Sequence, residues 1–224
     1  MTLERWGAVG AFAMVFLFLF VVVIGPDLLF PAMGLPRPSR TPADPTTQLA
    51  TVQHPANYVA DLAAFLLFVS FALVMVGLHD RLKTTAPDLS RLALIAVVIG
   101  AVVGMVGMMV MSYTRSAVGA IEDPDIALAT LNATRSVGIG IALVGLMFAG
   151  GAFLLSGWAS VQRGGLPETL GWLLVALGAI FILYSLVAPL SPGFGGFAGF
   201  LLGVSAPLIT LIGVIWLGVL LWRG

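Results

Sequence analysis

Asp61 is an acid about one turn inside an otherwise uncharged run, Tyr58 to Leu78, and its type and position make it the first residue to consider for chemistry. A carboxylate at membrane depth must find a partner or take up a proton, so an ionisable group inside a span is by default a functional candidate. The plainer reading is structural. So close to a helix start, the carboxylate faces the headgroups, where the helix dipole favours an anion. Arg115 and Arg135 flank the ends of the two following spans on the same side and are its expected partners. Asp27, His54, Asn57, Tyr58, Tyr113 and Asn132 fall near that rim as well. The candidate polar outer site is therefore Asp61, Arg115, Arg135, Tyr58, His54 and Asp27. An ordinary interfacial belt has the same composition and needs no ligand.

Other reactive residues point nowhere specific. His54 and His79 would sit at opposite ends of one helix, roughly 35 Å apart at 1.5 Å per residue, so one haem cannot use both. Met105 and Met109 share a helical face, and thioethers suit Cu(I), but methionine is also an ordinary gap-filler beside glycine-rich packing. Without cysteine there is no thiolate nucleophile, iron–sulfur ligand or thiolate zinc site. No HExxH, GxSxG or phosphate-binding glycine loop occurs, and no paired intramembrane carboxylates. The sequence thus names no catalytic residue, no metal and no cofactor.

The elements that must position these residues are set by composition. Apolar residues make up 60% of the 224, charged residues only 9%, and mean hydropathy is +1.11. A soluble domain carries about a quarter charged residues, so the solvent of this chain is lipid. The expectation is an all-α polytopic membrane protein, one integral domain over 1–224 built as a bundle of six transmembrane helices. The spans are expected at about 6–26, 58–78, 92–111, 137–161, 170–188 and 197–222. The first is too long for a signal peptide and lacks a small-residue cleavage site, so it reads as retained. Pro31, Pro36, Pro38, Pro42, Pro45 and Pro55 predict an extended, Pro-rich outer loop over 31–56, in which Thr46–Gln53 can make one or two amphipathic turns on the membrane surface. Asp123 reads as an N-cap with Pro124 as the first helical residue.

Glycine spacing predicts close helix approach. Gly100 and Gly104 form one GxxxG pair, and Gly195, Gly199 and Gly203 form a double one; Gly171, Gly178 and Ser185 recur every seventh residue. Six spans put both termini on one side. Arg5, Arg81, Lys83, Arg91, Arg163 and Arg223 fall there, against Arg37, Arg40, Arg115 and Arg135 opposite, which favours cytoplasmic termini in a multi-pass cell-membrane protein.

Asp61-Leu62 early in the second span, Leu82-Lys83 before the basic turn, GGLPETLGWLLVALG entering the fifth span and the closing PLITLIGVIWLGVLLWR complete a recognisable arrangement. It resembles a widespread set of bacterial six-span membrane proteins known as a domain of unknown function. The resemblance implies a six-helix fold and carries over no catalytic residue. A structural or interaction role follows as the leading expectation, as a subunit of a membrane assembly. Its partners are the lipid bilayer and a second copy or another membrane protein, with no sign of nucleic acid. The alternative is a small-solute or proton-coupled transporter using Asp61.

Overall fold

Prolines and glycines mark where helices start and stop. The computed structural model describes residues 2–20, 45–190 and 210–223, and among them every regular element is helical. These are α1 (Leu3–Leu19), α2 (Pro45–Gln53), α3 (Pro55–Leu82), α4 (Pro87–Val118), α5 (Pro124–Arg163), α6 (Glu168–Val187) and, after a π turn at Thr210–Val214, α7 (Ile215–Arg223). Four of them, α3 to α6, are long and apolar enough to cross a membrane; Ile212–Arg223 is a shorter apolar helix. Asp27, Gly195, Gly199 and Gly203 lie outside the described residues, as do most of the expected outer loop and the first part of the expected sixth span.

At α5 the Asp123 carboxylate accepts the backbone N–H groups of Asp125 (2.9 Å) and Ile126 (3.3 Å), and Pro124 fills the first helical position, where no donor is needed. Gly164 and Gly165 end that helix with φ of +79° and +101°, a region glycine enters without steric cost. α5 is 40 residues long, roughly 60 Å at 1.5 Å per residue. A bilayer core is only about 30 Å thick. The N-terminal turns of α5 therefore project beyond it.

That projection explains a departure from the expected extended loop. Residues 45–53 form a helix with Pro45 at its start, and its Leu49 and Val52 pack on Val118, Ile121, Ala127, Leu128 and Leu131 at the protruding ends of α4 and α5. A segment with only two large apolar residues, one turn apart, gains a stable face because the helix ends beneath it offer one.

Neighbouring helices run antiparallel and meet at glycines. On α1 and α3, Gly7 lies against Gly77 and Gly10 against Leu73 and Val74. Gly100 and Gly107 of α4 meet the carbonyls of Gly145 and Gly138 of α5, where an added methyl carbon would stand 2.6 Å from either oxygen. Gly157 of α5 meets Gly171 of α6 in the same way, and Gly150 meets Gly178. Gly218 of α7 approaches Ala11 and Phe12 of α1. Without a strong hydrophobic drive between helices in lipid, such backbone approach supplies much of the packing energy. At mid-height, Phe71 (α3), Phe153 (α5) and Phe181 (α6) form a fully buried triangle with ring centroids 5.8 to 6.2 Å apart. Phe68 extends it with an edge contact to Phe71 at 5.7 Å, and its ring fills the space over Gly104.

Candidate functional site

Asp61 lies on the first part of α3, and the last part of α4 comes back past it. There the Arg115 guanidinium forms an ion pair with the Asp61 carboxylate, and the same Nη1 donates to the Asn57 carbonyl at 3.0 Å. Only 12% of the Asp61 side chain and 13% of the Arg115 side chain remain exposed, so the pair is largely shielded. Asn57 and Asp61 are four residues apart and share one helical face, which places carbonyl and carboxylate side by side for one guanidinium. The Asn57 side chain donates to the Thr51 carbonyl at 2.8 Å and ties α2 to the site. Tyr58 and Ser116 bring their hydroxyls within 3.4 Å of each other.

Two cavities flank the pair. One of about 180 Å³ is lined by Tyr58, Asp61, Leu62, Phe65, Met108, Met109 and Ser112. The other, about 60 Å³, is bounded by Val52, Asn57, Met111, Arg115, Leu131 and Arg135. Arg135 therefore belongs to the same region but makes no ion pair with the described residues. His54 sits at the bend between α2 and α3, where its carbonyl accepts the Asn57 N–H at 3.0 Å. Tyr113 is 71% exposed and Asn132 is exposed, so neither joins the cluster. Met108 and Met109 line the larger cavity with no histidine beside them. The Asn57 carbonyl, Thr51, Ser112 and Ser116 were invisible to sequence reasoning, because backbone acceptors and common hydroxyls carry no pattern of their own.

The opposite end of the bundle gathers the basic turns. Arg81 at the end of α3 pairs with Glu4 of α1 at 3.4 Å, and its Nε donates to the Gly165 carbonyl in the α5–α6 turn at 3.3 Å. Lys83 pairs with Asp80. The His79 Nδ1 lies 3.1 Å from the Ser90 hydroxyl, which donates to the Pro87 carbonyl at 3.0 Å. With that hydroxyl proton committed, Nδ1 is the donor to Ser90. The Arg5 guanidinium lies 5.9 Å from the Trp222 ring, so the start of α1 and the end of α7 meet here. A groove of about 220 Å³ beside them is lined by Arg81, Trp216, Val219, Leu220 and Arg223.

Among known proteins, no curated sequence and no solved structure matches the chain. The profile of the family described as Domain of unknown function (DUF4386) matches residues 12–224, nearly the whole length, and the chain belongs to that family.

Proposed function

We propose that the protein is a six-span, non-enzymatic membrane protein of the cell membrane with cytoplasmic termini, acting as an interaction subunit of a membrane assembly. The observation that carries this reading is the buried aromatic block at mid-height. Phe71 lies ten residues deeper than Asp61, roughly 15 Å along α3, and with Phe153 and Phe181 it fills the space between the acidic and basic ends. Both cavities at Asp61 stay on the outer side of this block, and the carboxylate is already neutralised by Arg115. The six-span reading is supported by helix direction: α1 and α7 each add one antiparallel element to the four long helices, and Ile212–Arg223 ends where α1 begins.

An interaction role is supported by α5. While its Gly138, Gly145, Gly150 and Gly157 are covered by neighbours, Gly140 and Gly151 meet nothing among the described residues where a side chain would stand. With Val137, Val144, Met147 and Trp158 they recur at steps of three, four, three, four and seven residues, the spacing of a helix–helix seam. Single cysteines at Val144 and Met147, with Ile95 on α4 as an exposed control, test it by cross-linking in native membranes. Adducts to a second copy or another membrane protein are expected at the α5 positions only. No adduct above the Ile95 control would remove the interaction reading. Transport takes its place if wild-type protein in liposomes carries a proton or solute flux that Asp61→Asn abolishes with the fold intact.

A further inference from the structure

We propose that the groove between α3 and α7 at the basic end is a binding site for one anionic phospholipid, its phosphate held between Arg81 and Arg223 and its acyl chains laid along Trp216, Val219 and Leu220. This goes beyond the interaction role and does not depend on what covers the α5 face.

Charge gives the first argument. Arg5, Arg81 and Arg223 surround the groove and Glu4 is the acid among them, so the formal balance is three minus one, +2. The C-termini of α3 and α7 also point here, and at about half an elementary charge each they subtract about one unit. The groove stays cationic. The two lining arginines differ in preparation. Arg81 is already fixed by Glu4 and the Gly165 carbonyl, yet a guanidinium has five N–H donors, and these contacts leave several for a phosphate. Arg223 makes no hydrogen bond or ion pair with the described residues and is free to close over the ligand.

The wall gives the second. Trp216, Val219 and Leu220 stand three to seven residues before Arg223 on α7, roughly 5 to 10 Å deeper along the helix axis. Trp216 is 38% and Val219 36% exposed, so an apolar wall continues inward from the arginines. A soluble anion uses none of that wall. A phosphodiester carrying acyl chains uses both parts, with phosphate at the headgroup level and chains at membrane depth. Basic pockets between helices on the cytoplasmic side are suited to acidic headgroups for the same reason.

The test uses purified full-length protein in a neutral detergent, with bound lipid counted by native mass spectrometry. Dioleoylphosphatidylglycerol, dioleoylphosphatidylcholine and glycerol 3-phosphate are titrated separately. One phosphatidylglycerol is expected to be retained in preference to phosphatidylcholine. Arg223→Gln should weaken it about fivefold, the factor equivalent to about 1 kcal/mol for a basic residue near an anionic headgroup. Arg223→Lys should keep the preference, and Arg163→Gln, at the same end but outside the groove, should leave it unchanged. Equal retention of phosphatidylcholine would overturn the site, as would equal effects of Arg223→Gln and Arg163→Gln. Glycerol 3-phosphate binding as tightly as the lipid would reduce it to an anion contact and overturn the acyl-chain half.

Discussion

Removing the Asp61 carboxylate would leave the shielded Arg115 guanidinium with the Asn57 carbonyl as its described hydrogen-bond acceptor. Breaking a buried pair by deleting one partner costs about 3 to 5 kcal/mol because the other charge is stranded, whereas an exposed pair is worth about 0 to 1. With side-chain exposures of 12% and 13%, the Asp61–Arg115 pair falls nearer the first case. Asp61→Ala is therefore expected to lower unfolding stability in detergent by more than the exposed-pair range, and adding Arg115→Ala should recover part of the loss. Combined with Arg135→Ala, which acts on Asp61 through its charge without an ion pair, the recovery should be smaller than with Arg115→Ala. Strict additivity with Arg115 would mean that the pair contributes nothing beyond its separate parts. Chain order already placed the start of one span and the end of the next at one rim, so an arginine partner for Asp61 was readable in the sequence. Which arginine was not. Arg115 and Arg135 are equivalent by topology, and what separates them is the rotation of α5 about its axis. That rotation is fixed by backbone contact between Gly138 and Gly145 on α5 and the glycines of α4.

At the scale of elements, glycine patterns divide into those that meet backbone and those that meet nothing. A methyl group at Gly145 would stand 2.5 Å from the Gly104 nitrogen and 2.6 Å from the Gly100 oxygen, both main-chain atoms that cannot rotate away. At Gly140 nothing among the described residues lies within 4 Å of that position. Gly145→Ala should thus push α4 and α5 apart and destabilise by about 1 to 3 kcal/mol, the usual cost of overpacking. Gly140→Ala should instead be neutral or stabilising by up to about 1 kcal/mol, the helix-propensity difference between the two residues. Alanine is also small enough to keep a helix seam there. Equal thermal shifts for the two variants would refute the assignment of the α4–α5 contact. Gly100 with Gly104 was legible as a close-approach pair. Gly145 and Gly138 were not distinguishable from Gly140 and Gly151, because α5 carries glycine on several faces and only the partner helices reveal which face is covered. The amphipathic turns of α2 were legible in Thr46–Gln53, but not their packing surface: Leu49 and Val52 meet the ends of α4 and α5 only because those helices protrude far enough.

For the whole molecule, the two ends of the bundle differ in more than charge. All five tryptophans lie toward the end where α1 begins: Trp6, the edge-to-face pair Trp158 and Trp172, and Trp216 and Trp222 on α7. The three tyrosines, Tyr58, Tyr113 and Tyr184, lie toward the other. Each set suits a membrane–water boundary, where an aromatic body meets apolar chains and its polar atom meets headgroups. The belts set the depth of the bundle but not which way up it sits. Orientation rests on the cations. Arg5, Arg81, Lys83, Arg91, Arg163 and Arg223 occupy the tryptophan end. At the tyrosine end the described cations are Arg115, which is committed to Asp61, and Arg135. The positive-inside tendency predicts that the tryptophan end faces the cytoplasm. The chain has no cysteine, so single replacements report cleanly. Thr84→Cys, in the exposed turn between α3 and α4, should resist a membrane-impermeant maleimide in intact cells and react after permeabilisation. Glu122→Cys, in the exposed turn between α4 and α5, should react in both conditions. The opposite pattern would invert the molecule, moving the lipid groove to the outer leaflet and Asp61 to the cytoplasmic side while leaving every internal contact as described.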